Sequence, residues 1–215
     1  MIYIENIFVC LAIPMFLSML FTKASSRRFT FFVITGMFMC LLSAYVNSFF
    51  MGLYGTDEVT AVVEITPVCE ELMKLLPLLF CFVVVGSDSD HITPAAIAMA
   101  VGFATFENVC YLTANGTENL MFLLMRGLSA GALHILCGIV TGFGLVYVFK
   151  RSWLTVTGTI GLLGVCISLH ALYNLMITAE GYWKFFGYFM PAALLIVMAV
   201  LMYFYSYKER FLGKR

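Results

Sequence analysis

The sequence predicts an all-α fold, a polytopic membrane bundle of about seven transmembrane helices, on three observations. Charged residues are 11% of the 215-residue chain, less than half of the about 25% that covers a soluble domain. Mean hydropathy is +0.99. The apolar residues fall in runs near the about 20 residues that a helix needs to cross a bilayer. Charge and turn residues interrupt those runs only briefly, so residues 1–215 read as a single membrane domain with short loops.

Taken in order, the runs predict spans at 4–22, 29–54, 61–85, 93–113, 120–149, 153–177 and 185–207. The N-terminus reads Met-Ile-Tyr-Ile-Glu-Asn and lacks the basic start of a secretory signal, so the first run is expected to be retained as a span. Basic residues from Lys23 to Arg28 open the second, and Gly55 to Thr60 close it. The third contains Pro67 and Pro77, expected to bend it, and ends at the polar stretch Gly86 to His91. Asn115 to Asn119 separates the fourth and fifth, Lys150-Arg151 the fifth and sixth, and Thr178 to Lys184 the sixth and seventh. A basic tail follows from Lys208. No internal repeat suggests a two-fold transporter architecture.

Basic residues orient the bundle, because cytoplasmic loops are enriched in Lys and Arg. With the N-terminus outside and the C-terminus cytoplasmic, the inner segments hold Lys23, Arg27, Arg28, Lys150, Arg151, Lys208, Arg210, Lys214 and Arg215, and the outer ones only Lys184. Asn115-Gly116-Thr117 matches a glycosylation sequon and reads equally as an ordinary turn. Net charge is zero, which gives no field for nucleic acid. Cys10, Cys40, Cys69, Cys81, Cys110, Cys137 and Cys166 all fall in apolar runs. They are expected as free thiols packed like small hydrophobes.

An Asp, Lys or Arg at a helix centre costs about 2.5–3.5 kcal/mol on the insertion scale. The third span nevertheless carries Glu64, Glu70, Glu71 and Lys74, so these must face protein or water. Glu64 lies near the span's outer end and reads as a solvated flank. On the fourth span Phe103, Glu107 and Tyr111 recur every four residues and share one face, with Asn108 beside Glu107. On the fifth, His134 precedes Gly138, Thr141 and Gly142, small residues that let a neighbouring helix approach the imidazole. Arg126 is expected to reach the outer interface by its long stem. His170 and Asn174 share a face of the sixth span. At about 1.5 Å per residue, Glu70 and Glu71 lie about 15 Å from the outer end, His134 about 20 Å, and Glu107 and His170 about 10 Å. All four spans therefore bring their ionisable residues to similar depth, and a shared pocket is expected.

Peptide hydrolysis needs an activated water, a base and donors for the oxyanion. Burial makes a glutamate more basic, and a metal lowers the pKa of its bound water to about 7. Two His with one carboxylate is a catalytic zinc set. His134, His170 and Glu107 supply one, leaving Glu70 and Glu71 as base and support, with Asn174 as an oxyanion donor. H-E-x-x-H does not occur. A cysteine mechanism is the lesser option, although Cys69, Cys110, Cys137 and Cys166 lie within four residues of candidate site residues.

Glu70-Glu71-Leu72-Met73-Lys74 resembles the E-E-x-x-K motif of the PrsW family of intramembrane proteases. Phe103-x-x-x-Glu107-x-x-x-Tyr111 is similar to the family's second motif, His134 with its glycines to the third, and His170-x-x-x-Asn174 to the fourth. The four run in order over 70–174 on successive spans. Asn174 stands where the PrsW pattern often has Asp, and matches the wider superfamily of CAAX-processing and bacteriocin-processing proteases. The resemblance implies a multi-pass protease of a bacterial plasma membrane. It would make the first cut in a single-span anti-sigma factor, releasing a stress-response sigma factor. It implies Glu70, Glu71 and His170 as leading catalytic residues, and by the wider superfamily Glu70 as base. Lys74 can pair with Glu70 at i+4 or with Glu71 at i+3. Zinc and a metal-free glutamate–histidine mechanism both stay open. The competing class is a proton-coupled transporter or channel, and a third is a scaffold for lipid or a partner helix. The adjacent glutamates with Lys74 and H-x-x-x-N favour hydrolysis over both.

Overall fold

The computed structural model describes residues 3–84, 89–116 and 120–212. The described residues form α1 (Ile4–Ser18), α2 (Ala24–Tyr54), a single turn α3 (Glu58–Thr60), and a π-helical turn (Ala61–Ile65) leading into α4 (Thr66–Val83). They continue as α5 (Ser89–Asn115), α6 (Leu120–Phe149), a 3-10 turn (Ser152–Leu154), α7 (Thr155–Thr178) and α8 (Tyr182–Leu212). No strand occurs among them. The predicted stretch 86–91 lies mostly outside the described residues, as do Thr117 of the sequon and the last residues of the basic tail.

Five helices, α2, α5, α6, α7 and α8, are long and apolar enough to cross a membrane. The other two expected spans fall short for different reasons. Fifteen residues in α1 reach about 22 Å against a hydrocarbon core of about 30 Å. The 18 residues of α4 contain Glu70, Glu71 and Lys74, and all three are buried. Protein therefore covers the charged face of this helix, which touches α2, α5 and α7, while Val68, Leu76 and Phe80 lie exposed on its other face. Large apolar side chains cover the outside, Phe21 at 90% and Phe49 at 64% exposure among them. Trp153, Tyr182 and Trp183 lie exposed at helix ends, where aromatic belts form.

Turn chemistry closes the connections. Gly55 ends α2 in the left-handed conformation at φ 62, and Gly181 opens the turn into α8 at φ 67. Asp57 accepts from the Thr60 N–H and hydroxyl, each at 2.9 Å. Those bonds, the backbone one foremost, hold its carboxyl below the usual carboxylate range.

α5 is the spine, packed between α2 and α6. Small residues set its closeness to both. A Cβ on Gly36 would lie 2.1 Å from the Met99 carbonyl oxygen, and one on Gly102 2.0 Å from that of Val33. On the other side, a Cβ on Gly138 would meet Ala96 O at 2.9 Å, so the helix that approaches His134 across the small-residue stripe is α5. Around this spine lie three apolar clusters. Leu75, Leu78, Met99 and Leu145 join α4, α5 and α6. Val33, Met37, Phe103 and Phe106 join α2 and α5, while Leu133, Cys137, Cys166 and Tyr173 join α6 and α7. All seven cysteines are free, and Cys40, Cys69, Cys137 and Cys166 pack as expected. Cys10, exposed on α1, does not.

Gly36→Ala and Gly102→Ala are each expected to force α2 off α5, costing about 1–3 kcal/mol as overpacking does. Gly164→Ala, with nothing within 4 Å of its added Cβ, is the control and gains up to about 1 kcal/mol of helix propensity. Thermal unfolding in detergent measures all three.

Candidate active site

The π-turn ahead of α4 is a local consequence of sequence. Thr66 N–H bonds to Ala61 O, five residues back, so it does not serve Val62 O. The next donor in a π ladder would be residue 67, and Pro67 has no N–H. Val62 O is thereby left bare by its own chain. Asn174 Nδ2 on α7 donates to it at 2.8 Å. The turn before the glutamates is thus fastened to the helix that carries His170, and Thr66 Oγ1 fastens it to Asn47 Oδ1 on α2 at 3.1 Å. The expected bend at Pro67 takes the form of this π-turn.

Beyond the turn, α4 places Glu70, Glu71 and Lys74 among α5, α6 and α7, all three at most 8% exposed. Lys74 Nζ donates to Glu71 Oε1 at 2.6 Å, the i+3 choice. It also lies 2.9 Å from His134 Nδ1. An ammonium only donates, so His134 Nδ1 accepts, and its Nε2–H donates to Glu107 Oε2 at 2.6 Å. Glu107 Oε1 accepts from Arg126 at 3.0 Å, and Arg126 also donates to Asn108 Oδ1. On the opposite side, His170 Nδ1–H donates to Glu71 Oε1 at 2.8 Å. That leaves His170 Nε2 facing Glu70 Oε2 at 3.8 Å, too long for a hydrogen bond. Glu70 Oε2 is buried and has no hydrogen-bond partner among the described residues.

The second motif serves this network along one face of α5. Phe103 lies under the Lys74 ammonium, 4.8 Å from its ring centroid, and 5.2 Å from the His134 ring. One turn on comes Glu107, and one more brings Tyr111, whose ring carries the Arg126 guanidinium at 3.7 Å. Arg126 is the residue that sequence reasoning misplaced. Its side chain is 13% exposed and turns inward to Glu107 instead of outward to the interface. The signal was its i+8 spacing from His134, which puts both near one face of α6. Glu64 is exposed, as expected of a flank. Sequence reasoning also passed over the buried contact of Tyr173 OH with Ser129 Oγ, 2.9 Å apart.

These groups end a cavity of about 360 Å³. Glu70, Glu107, His134, His170 and Asn174 line its inner part, while Glu58 and Lys184 line it where α3 and α8 begin. It opens at the end of the bundle that holds Gly55 and Gly181. Glu70, His134 and His170 each offer a ligand atom within 4.8 Å of the others, all buried. The residues fit a zinc-type cation. Two ligands at about 2.1 Å round a tetrahedral zinc stand about 3.4 Å apart, near the Glu70–His170 separation of 3.8 Å. Each imidazole also has the orienting carboxylate that metal-bound histidines use, Glu71 for His170 and Glu107 for His134. With Nε2–H given to Glu107, Nδ1 is the His134 atom that would be offered to such a set, and here it accepts from Lys74 at 2.9 Å. This grouping has Glu70 where the spacing argument put Glu107, whose two oxygens are engaged by His134 and Arg126.

A family model described as PrsW family intramembrane metalloprotease matches residues 25–205. No curated protein and no solved structure matches the chain.

Asn174→Ala is expected to lower stability by about 1–3 kcal/mol, the cost of leaving a buried acceptor unpaired. Pro67→Ala returns a backbone N–H to the turn, so in that background Asn174→Ala should cost measurably less. A double-mutant cycle of melting temperatures reads the coupling, and additive losses would mean that Val62 O is not what binds the two positions.

Proposed function

Because the chain belongs to the PrsW family of intramembrane metalloproteases, we propose that it makes the first cut in a membrane-anchored anti-sigma factor of a bacterial plasma membrane. The observation that carries the proposal is the convergence of Glu70, His134 and His170 at the inner end of the α3–α8 cavity. A divalent cation bound there, zinc by its donor set, would supply Lewis acidity and a water of lowered pKa.

The chain's own groups divide the remaining work. Glu71 takes the His170 Nδ1 proton as a hydrogen bond, which keeps His170 Nε2 aimed at Glu70. Lys74 neutralises Glu71 and fixes the His134 tautomer. Glu107, held by Arg126, orients the His134 ring. Glu70 has an oxygen with no other partner, so one of its carboxylate oxygens would meet the cation and the other would take a proton from water and pass it to the leaving amine. Glu71 lacks that freedom, its Oε1 serving both Lys74 and His170. Asn174 directs its Nδ2 to Val62, so its contribution in this reading is to hold the α4 turn in place.

The orientation proposed from the basic loops places Gly55 and Gly181 outside the cell. A substrate helix then enters from the extracytoplasmic side. Its amides are bonded internally and resist attack until it unwinds, which is easiest where water reaches the freed groups.

Glu70→Gln is expected to lower turnover at least about a hundredfold and to reduce bound metal from about one ion per chain, while the protein still inserts. Elemental analysis and cleavage of a single-span substrate in detergent measure both, and near-normal turnover would sink the mechanism. The cut itself is expected in the extracytoplasmic first turns of the substrate's span. A Gly or Pro placed there should speed it and a Leu-rich replacement slow it, with product termini read by mass spectrometry. A cut near the cytoplasmic end would overturn the orientation or the pocket.

A further inference from the structure

A second cavity lies at the opposite end of the bundle, where α2 and α5 begin. It measures about 330 Å³ and shares no lining residue with the α3–α8 cavity. Its composition is divided. Arg28, Ser25 and His91 supply the polar groups, and Phe29, Phe32 and Ile92 belong to its apolar wall. Ile92 is 1% exposed, and Phe32 packs against the apolar clusters on both sides of α5, so that wall is continuous with the core. Arg28 has no carboxylate partner among the described side chains. The first turn of α2 carries no acidic residue, and no side chain caps it.

These features select a ligand by exclusion. A lone inorganic ion would leave most of the space empty, since a water's share of liquid volume is about 30 Å³. A wholly apolar molecule would bury Arg28 and His91 without partners. An anion with an apolar body satisfies both ends. The end of the bundle narrows the choice further. Arg27 in the first turn of α2 and Lys23, Lys150 and Arg151 on the connections from α1 to α2 and from α6 to α7 flank the same end, so the cavity sits at the basic rim where headgroups of a bilayer lie.

We propose that this cavity is a binding site for one anionic glycerophospholipid. Arg28, Ser25 and His91 receive the phosphodiester, and an acyl chain runs along Phe29, Phe32 and Ile92. A lipid seated there fills the open end of the α2–α5 seam, whose inner stretch is held by Gly36 and Gly102.

The test uses the full chain, purified in detergent and exchanged into nanodiscs of phosphatidylglycerol or phosphatidylcholine. Native mass spectrometry after gentle release counts retained lipids. One phosphatidylglycerol per chain is expected to survive release, with phosphatidylcholine retained at least about fivefold less, the factor that about 1 kcal/mol per basic group gives. Arg28→Gln and His91→Gln should each lower phosphatidylglycerol retention by a similar factor. Lys150→Gln with Arg151→Gln, at the same end but outside the cavity lining, should leave it unchanged. Replacing the sequence neighbours Asp88 and Asp90 by Asn should hold or raise retention. Equal retention of the two lipids, loss in the Lys150/Arg151 variant to match Arg28→Gln, or a fall in the Asp88/Asp90 variant would each overturn the site. Displacement of phosphatidylglycerol by millimolar inorganic phosphate would also overturn it, because the site would then recognise a free anion.

Discussion

Charged side chains inside an apolar bundle must find partners, since an unpaired charge there costs more than the fold can supply. The chain meets this with one continuous sequence of contacts, Arg126 to Glu107, His134, Lys74, Glu71 and His170. Four helices contribute to it, α4, α5, α6 and α7, and none could bury its share alone. Two cations are set against two carboxylates in alternation, and both histidines are held by the carboxylates beside them. Glu70 stands at the end of the sequence with a bare oxygen. The same pairing that makes the other charges tolerable leaves this one group uncommitted, and it faces the cavity.

That network requires backbones to approach closely, which explains the small residues around it. Gly36 and Gly102 bring α2 against α5, and Gly138 brings α6 against it on the other side. α5 is thereby locked from two directions, and Phe103, Glu107 and Tyr111 along its face keep a fixed relation to His134 and Arg126. A wider α5–α6 spacing would lengthen the Glu107–His134 bond of 2.6 Å. The Pro67 turn does the corresponding task for α4. By denying Val62 O a backbone donor, it creates an acceptor that Asn174 fills, so the N-terminal end of α4 is tied to α7 beside His170.

Much of this was legible in the chain before folding. Interruptions such as Gly55 to Thr60 and Lys150-Arg151 fixed where helices end, and the residues 120–149 were predicted as they stand in α6. Helical rise put Glu70, Glu71, Glu107, His134 and His170 at similar depth; all but Glu71 line one cavity, and Glu71 bonds to His170 behind it. Family membership over residues 25–205 agrees with the motif order. Arg126 was misjudged because a long cationic side chain near a span's end has two outlets, the interface or a buried carboxylate. Only the position of Glu107 on the neighbouring helix selects between them.

Rise per residue and hydrophobic period are properties of a single helix, so the sequence determined the helices and the residues that share each polar face. It did not determine which groups touch. Lys74 faced equivalent choices at i+3 and i+4 on its own helix, and the His170 contact with Glu71 broke the tie by drawing that carboxylate into the network. Spacing gave Glu107 to the two histidines, but Arg126 and His134 engage both of its oxygens, and Glu70 takes that place. Distances between helices depend on side chains from both, and a hydrogen bond is made or lost within an ångström. That selection belongs to the packed bundle alone.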